Sequence, residues 1–334
     1  MIEVSQLTKT FGSTTVLDMV DFRVESGEIF GIVGPSGSGK STLARCLNLL
    51  TEPTSGDVIV NGDNLTHLDA EGLRAARRRI GTVFQRSSLL SRRTAAQNVA
   101  LPLQFYNATK RATDERVREL LARIGLSDKA DLYPHQLSGG QRQRVGIARA
   151  LALNPSVLLS DEATSGLDPR ATDAYLNLIA DLRDELDIAV VLITHEMDTI
   201  VKVADRVGHL EDGRIVEQGD LVDVVLNPDS PLGSALRSPS AAQGAPAGHV
   251  RLVVTYSSRN VPADWIFRIG NELAAVPSVL GAVIQTVHGV STGEVTVSVE
   301  SHRVAEFRSA AARYGLASRI VGDLAAAVSV EVPA

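Results

Sequence analysis

One stretch of eight residues restricts the fold of this chain more than any other. Residues 34–41 read GPSGSGKS, which fits the pattern G-x-x-x-x-G-K-[ST], and they follow the apolar run at residues 29–33. Glycines in such a loop let backbone N–H groups turn toward phosphate oxygens, and the N-terminus of the following helix adds partial positive charge. The sequence therefore predicts a phosphate-binding loop between a buried strand and a helix that begins near Ser41, rather than a plain glycine-rich turn.

Four side chains in and beyond this loop suit nucleotide chemistry. Lys40 is expected to reach the β and γ phosphates, and the Ser41 hydroxyl is expected to ligate Mg²⁺. Further along, residues 157–162 read VLLSDE, an apolar strand that ends in two carboxylates. An acidic pair after a strand is usually only the start of a loop. Downstream of a phosphate loop, however, Asp161 is expected to hold Mg²⁺ through water, and Glu162 to orient and polarise the attacking water.

The pattern of apolar runs predicts an α/β fold for the first part of the chain. Continuous apolar runs, which suit strands buried on both faces of a parallel sheet, alternate with helical stretches. The runs lie at residues 29–33, 157–159 and 189–193, and two of the helical stretches at 113–124 and 170–186. His195 lies just past the third run, at the edge where such sheets bind ligands, so we expect it to contact the γ-phosphate rather than to be structural.

The amino-acid composition changes near residue 238. Residues 238–248 read SPSAAQGAPAG, a composition typical of a linker. Beyond it, strictly alternating and apolar stretches at residues 250–256, 279–287, 295–299 and 317–321 predict strands. Helical spacing relates Trp265, Ile269, Leu273 and Val276, and likewise Val304, Phe307, Ala311 and Tyr314. The order βαββαβ predicts a small α+β, ferredoxin-like domain, with residues 323–334 expected to fray or to extend an edge strand.

Composition narrows the class of protein. The 334 residues are 44% hydrophobic, enough for two domains with cores of their own, and the net charge of −6 argues against a nucleic-acid partner. The single cysteine, Cys46, excludes an internal disulfide and is predicted to be a core residue in a reducing compartment. No segment approaches the roughly 20 apolar residues that span a bilayer. The start lacks a signal-peptide pattern, so any membrane role is expected to come through a partner.

A second glycine-rich motif identifies a superfamily. Residues 137–141 read LSGGQ and open a helical stretch, so the Ser138 hydroxyl and nearby N–H groups would face another anion at a helix N-terminus. One chain with one phosphate loop does not need two such sites for one nucleotide. We therefore predict a head-to-tail homodimer in which each signature closes over the ATP of the other subunit.

With these motifs in this order, residues 1–230 resemble the ABC ATPases. Gln85 in VFQR resembles the Q-loop residue that senses Mg²⁺ and the permease, and Phe11 resembles the aromatic residue that stacks on adenine. Asp168 in SGLDP resembles the D-loop aspartate at the dimer interface, and Gly166 stands where many members have alanine.

The resemblance implies ATP and Mg²⁺ as cofactors. The catalytic residues expected from it are Glu162, His195 and Lys40. The expected ATP contacts are Phe11, Gly34, Pro35, Ser36, Gly37, Ser38, Gly39, Lys40, Ser41, Thr42 and Gln85. The expected Mg²⁺ ligands are Ser41, Gln85 and Asp161, and the signature residues acting across the dimer are Ser138, Gly139, Gly140 and Gln141.

Two longer stretches and the C-terminal appendage resemble the ATP-binding subunit of bacterial methionine importers. The stretches read FQRSSLLSRRTAAQNVALPL and YPHQLSGGQRQR. The implied division is an ABC ATPase domain at residues 1–237, a linker at 238–248 and a ferredoxin-like regulatory domain at 249–334. The implied partners are integral-membrane permease subunits, an extracytoplasmic substrate-binding protein and methionine bound to the appendage, whose ligand contacts are not matched individually. The expected location is the cytoplasmic face of the cell membrane.

Three other functions stay open at this point. The chain could energise an importer of another amino acid or small solute. A soluble ABC ATPase of DNA repair or translation usually carries a coiled-coil insertion or two tandem modules, and a decayed sensor would have lost its site residues.

Arginines at residues 77–79 and 92–93 flank Gln85. These arginines either lie on the solvated surface or lie near a permease loop or lipid headgroups.

Overall fold

A computed structural model describes residues 1–85, 88–237, 246 and 248–321. Contacts divide the chain into two units, Met1–Gly219 and Asp220–Ala334. This division falls earlier than the boundary at residue 237 expected from composition. The predicted linker at residues 238–248, apart from residues 246 and 248, and the predicted fraying at residues 323–334 lie outside the described residues.

The first unit contains two sheets and seven α-helices among its described residues. Its strands are β1 (Ile2–Phe11), β2 (Thr14–Val24), β3 (Ile29–Val33), β4 (Ser55–Val60), β5 (Asp63–Asn64), β6 (Ile80–Phe84), β7 (Val157–Asp161), β8 (Ala189–Thr194), β9 (Arg206–Glu211) and β10 (Arg214–Asp220), the last ending on the first residue of the second unit. Its helices are α1 (Lys40–Leu47), α2 (Ala70–Ala76), α3 (Ala95–Phe105), α4 (Lys110–Arg123), α5 (Gly139–Ala150), α6 (Pro169–Leu186) and α7 (Met197–Val203).

The larger sheet has six strands in the order β10-β9-β3-β8-β7-β6. Neighbours from β9 to β6 are parallel, so their carboxyl ends share one edge. Strands β3 and β8 are buried along their whole length, as continuous runs of Ile, Val and Leu require when helices cover both faces. The predicted α/β fold is confirmed, and α4 and α6 form close to the two helical stretches read from the sequence.

The smaller sheet is antiparallel, with the order β2-β1-β4-β5. None of the patterns above predicts it. One core cluster contains side chains from both sheets and from α1, among them Val4, Ile32 and Cys46. Cys46 is fully buried there, as predicted, and burial raises the pKa of its thiol to about 11. A thiol with that pKa stays protonated and unreactive near neutral pH.

The second unit has two short helices followed by a ferredoxin-like motif. Its elements are α8 (Leu221–Leu226), α9 (Pro231–Leu236), β11 (His249–Tyr256), α10 (Trp265–Glu272), β12 (Ser278–Val287), β13 (Val290–Glu300), α11 (Val304–Arg313) and β14 (Leu316–Ile320). The antiparallel sheet has the order β12-β13-β11-β14, which confirms the predicted βαββαβ arrangement. One detail was wrong: α10 ends at Glu272, and Val276 beyond it is 72% exposed rather than part of the apolar face.

Strand β13 is buried on both faces. Val295, Val297 and Val299 alternate on one face as predicted, but the polar residues between them are also at most 8% exposed. Helix α8 packs against β13, and the Nε2 atom of Gln285 donates to the carbonyl of Leu236 at 3.4 Å. The helices α8 and α9 therefore belong to the packing of this sheet. Within the described chain, no helix is both long and apolar enough to cross a membrane.

Candidate nucleotide-binding site

The phosphate-loop residues 34–39 connect β3 to α1 at the carboxyl edge of the parallel sheet, and residues 40 and 41 begin α1. Two glycines are needed there for geometric reasons. A Cβ on Gly34 would lie 2.1 Å from the carbonyl oxygen of Leu210, and Gly39 caps α1 with a left-handed φ of 105°. Pro35, Ser36 and Gly37 are exposed, so the loop presents its rim to solvent. This is the arrangement expected of a loop that receives an anion.

Lys40 is folded into this loop. Its ammonium donates to the carbonyls of Gly34 and Pro35, both at 2.8 Å, and the residue is only 5% exposed. Burial lowers the pKa of Lys40, while the carboxylates of Glu162 and Asp161 oppose that shift. The lysine and the carboxylate pair, far apart in sequence, therefore share one electrostatic environment.

Asp161 ends β7 with a buried and unsatisfied oxygen. Its Oδ1 atom has no hydrogen-bond partner within the described structure. Burial, together with the negative charge of Glu162, raises the pKa of Asp161 to about 6, against the opposing effect of the Lys40 ammonium. A carboxylate oxygen that is desolvated but unpaired suits a hard divalent cation, which prefers oxygen ligands and would stabilise the charged form. Asp161 thus fits the predicted Mg²⁺ role on chemical grounds.

Glu162 and His195 are in contact. The His195 Nδ1 atom lies 3.3 Å from the Glu162 Oε1 atom. Glu162 has a left-handed backbone with φ of 46°, and its N–H donates to the carbonyl of Ile193 at 2.8 Å. The turn after β7 is therefore tied to the end of β8, which brings together two residues that the sequence only places on the same sheet edge.

Gln85 reaches the same turn from the end of β6. Its Nε2 atom donates to the Ser165 Oγ atom at 3.4 Å, and its carbonyl accepts from the Gln143 Nε2 atom at 2.9 Å. The next residues along the chain, Arg86 and Ser87, lie outside the described residues. The side chain of Gln85 is thus close to the carboxylate turn, as a residue that responds to the nucleotide would need to be.

The remaining predicted residues lie at the ends of helices and strands. Ser138 caps α5, where its hydroxyl accepts from the Gln141 N–H at 3.2 Å and the Gln141 side chain bonds back to the Ser138 N–H at 2.8 Å. Asp168 caps α6 in a similar way, and Phe11 ends β1 with its ring 51% exposed. In the described chain, no hydrogen bond or ion pair joins residues 138–141 to the phosphate loop or to the carboxylate pair.

One residue that no sequence pattern singled out belongs to this region. Glu196 follows His195, and its Oε2 atom accepts hydrogen bonds from Thr164 and Thr199. The only sequence signal is an acidic residue beside a predicted site histidine, which is too common to carry weight alone.

A groove of about 540 Å³ lies beside the end of β6. Apolar side chains such as Phe84, Leu101 and Phe105 line it together with Arg77 and Arg78. Phe105 is 69% exposed although it is large and apolar. Two exposed arginines from the cluster at residues 77–79 therefore border an apolar surface.

Comparison with known proteins gives consistent matches. A family model described as ABC transporter matches residues 17–165. The chain is 48% identical over 337 residues to the methionine import ATP-binding protein MetN 1 of Rhodococcus jostii (strain RHA1), and the match covers 99% of each protein. It is 44% identical to the methionine import ATP-binding protein MetN 1 of Pseudomonas fluorescens (strain Pf0-1), covering 90% of this chain and 93% of that protein.

The fold also matches solved structures. One is a dimeric post-hydrolysis state of an ATP-binding cassette bound to ADP and Pi. It has a TM-score of 0.60 and 35% sequence identity, covering 66% of this chain and 98% of that one. Because a relative at 48% identity matches from end to end and the cassette fold agrees, the chain belongs to the ABC transporter family of ATP-binding proteins, within its MetN group.

Proposed function

We propose that this chain is the energy-coupling ATPase subunit of a methionine importer, and that it binds and hydrolyses MgATP as a homodimer. The observation that carries the proposal is the shared environment of Lys40, Asp161 and Glu162, with Glu162 3.3 Å from His195. Hydrolysis needs a cation for the phosphates, a carboxylate for the metal and a base for water, and these side chains supply all three.

The binding step uses groups that are already in place. When ATP binds, the Lys40 ammonium would replace its hydrogen bonds to the carbonyls of Gly34 and Pro35 with contacts to β- and γ-phosphate oxygens. This requires little movement because the ammonium already lies in the loop. Asp161, Ser41 and Gln85 would hold Mg²⁺, and the bound ion would neutralise charge that develops on the phosphate oxygens. The exposed ring of Phe11 offers a stacking surface for adenine.

Glu162 would take a proton from the attacking water at one of its carboxylate oxygens. His195 would give up its contact with Glu162 and turn toward the γ-phosphate, where its ring N–H can stabilise developing charge. The left-handed backbone of Glu162 ends the extended path of β7. Strained backbone of this kind is often found at catalytic positions.

The charge of Asp161 leads to a prediction about stability. Because burial holds the pKa of Asp161 above its ordinary value, ionisation destabilises the nucleotide-free fold as the pH rises through about 6. Asp161→Asn is therefore expected to stabilise the nucleotide-free protein at pH 7.5 by roughly 1 kcal/mol after solvent screening, and by less at pH 4. Urea unfolding at both values, with exposed Asp181→Asn as the control, measures the difference.

The same substitution is expected to reverse its effect when ligand is present. MgATP binding stabilises the folded wild type, whereas Asp161→Asn would lose most of that gain because it lacks the metal ligand. Equal stabilisation of both proteins by MgATP would remove Asp161 from the metal site.

The dimer and the permease are supported by separate observations. The signature of one chain has no bond to its own phosphate loop among the described residues, and a similar cassette was solved as a dimer bound to ADP and Pi. The apolar groove bordered by Arg77 and Arg78 offers a surface for a permease segment, close to the Q-loop residue Gln85. Through a permease the chain would work at the cytoplasmic face of the membrane, with an extracytoplasmic binding protein supplying the cargo.

The second unit is proposed to sense methionine. It is not needed for the catalytic residues, all of which lie in the first unit. In the transporter reassembled with its permease, millimolar methionine is therefore expected to inhibit ATP hydrolysis several-fold, because a ligand that prefers one state tenfold shifts the equilibrium by about 1.4 kcal/mol. Steady-state phosphate release with methionine, leucine or cystine measures this. If leucine or cystine inhibited and methionine did not, the cargo assignment would fall while the ATPase assignment would stand.

A further inference from the structure

We propose that Glu196 is a positioning residue that holds the turn carrying Glu162 against the loop carrying His195, and so sets the rate of ATP cleavage. This role rests on the ATPase function proposed above. It differs from the roles of the known motifs, because Glu196 does not contact the reacting groups. It acts on the geometry between two residues that do.

A single carboxylate oxygen makes the link. The Glu196 Oε2 atom accepts from the Thr164 Oγ1 atom at 3.0 Å and from the Thr199 Oγ1 atom at 3.1 Å. Both threonines are 2% exposed. If the Glu196 carboxylate were removed, each hydroxyl would therefore lose a hydrogen bond that water cannot readily replace. Hydrogen bonds to an ionised acceptor are shorter and stronger than neutral ones, which makes this a firm connection between α7 and the turn after β7.

The link runs beside the catalytic pair. Thr164 is two residues beyond Glu162, and Glu196 directly follows His195. The bond from Thr164 to Glu196 therefore joins the same two loops as the contact between Glu162 and His195. When Glu162 turns to water and His195 turns to the γ-phosphate, their mutual contact opens. The Thr164 bond involves neither group, so it can persist and keep the loops at the same separation.

The backbone of the turn needs such support. Glu162 has a φ of 46°, a conformation that non-glycine residues keep only when their surroundings hold them in it. The Glu162 N–H bond to Ile193 fixes the start of the turn, and Gln85 contacts it at Ser165. Gln85 is a residue expected to move with the nucleotide, whereas the partly buried Thr164–Glu196 bond ties the middle of the turn to the segment after β8 without contacting Gln85.

The first test separates positioning from binding. Glu196→Ala is expected to lower kcat about ten- to a hundredfold, because small misplacement of catalytic groups has effects of that size. The KM for ATP and the affinity of the monomer for ATP should change less than about twofold, since Lys40 and the phosphate loop are untouched. Glu196→Gln keeps an amide oxygen as acceptor and should recover most of the activity. Asp198→Ala, at an exposed acid in the first turn of α7, is the matched control and should match the wild type.

A comparison in two genetic backgrounds distinguishes positioning of Glu162 from a general loss of structure. If Glu196 acts through Glu162, then Glu196→Ala added to Glu162→Gln should lower the residual single-turnover rate less than twofold, whereas it lowers the wild-type rate at least about tenfold. An equal loss in both backgrounds, or a wild-type kcat for Glu196→Ala, would overturn the role.

A third pair of variants keeps the test open if Glu196→Ala does not fold. Thr164→Ser retains the hydroxyl and should keep the wild-type kcat, whereas Thr164→Val removes it and should reproduce the loss; equal rates for the two would refute the link. A wild-type protein without ATPase activity would refute the proposed function instead. An active wild type, an inactive Glu162→Gln and an unaffected Glu196→Ala would refute only the role of Glu196.

Discussion

Replacing Glu162 by glutamine is expected to reduce ATP turnover about a thousandfold, within the range that general-base catalysis contributes. Glutamine has the same shape, so the N–H bond to Ile193 and the left-handed turn are retained. It cannot accept a proton from water at neutral pH. The substitution therefore removes the base and leaves the phosphate loop, Lys40 and Asp161 as they are.

The variant is also expected to collect in an ATP-bound dimer, since binding continues while cleavage stops. Single-turnover hydrolysis and light scattering with and without MgATP measure the two effects. Glu71→Gln, the same change at an exposed position on α2, is the control and should match the wild type. Turnover by Glu162→Gln close to that of the wild type would contradict the assignment of the base.

Replacing Ser138 by arginine is expected to reduce hydrolysis at least about a hundredfold, the usual cost of losing a donor to developing charge. A long cationic side chain at the start of α5 would block closure of the signature over the partner's γ-phosphate. ATP binding to the monomer should be unchanged, because no described bond connects Ser138 to its own phosphate loop. Thr109→Arg, which removes an N-cap from α4, controls for the loss of a helix cap.

Mixed dimers decide whether the signature acts across the interface. When Ser138→Arg chains are combined with Lys40→Ala chains, one composite site has an intact loop and an intact signature, while the other carries both defects. Two inactive proteins should therefore regain activity on mixing. No recovery, or loss of ATP binding by monomeric Ser138→Arg, would indicate that the signature acts within its own chain.

The convergence of the predicted site residues could be read from the sequence, because it follows from the geometry of a parallel sheet. Parallel strands place their carboxyl ends on one edge, so Lys40, Asp161, Glu162 and His195, which follow or end three such strands, must meet there. Their motifs are local and read directly from the sequence. The left-handed φ of Glu162 and the bond from Thr164 to Glu196 have no local signature, since they arise from packing between segments far apart in the chain.

The antiparallel sheet of the first unit was missed for a related reason. Its strands mix buried and exposed positions and carry bulges, as between Val4 and Leu7 of β1, so period-two alternation is interrupted. In the second unit, alternation identified β13 correctly, and Thr296 and Ser298 on the face opposite the valines are buried as well. Alternation shows which side chains share a face and not what covers that face.

The packing of α8 and α9 on the sheet of the second unit has a consequence for the design of chimeras between related proteins. Arg237, at the end of α9, is 3% exposed; it donates to the carbonyl of Asn227 at 3.1 Å and pairs with Glu294 of β13 at 3.5 Å. A chimera joined within residues 238–248 would place the helices of one parent over the sheet of another. If the second parent lacked an acid at the position of Glu294, the guanidinium would be buried without its counter-ion, which is strongly destabilising. Recombination at Gly219 transfers the helices, the arginine and the glutamate together, so the segment to exchange as one piece begins at Asp220.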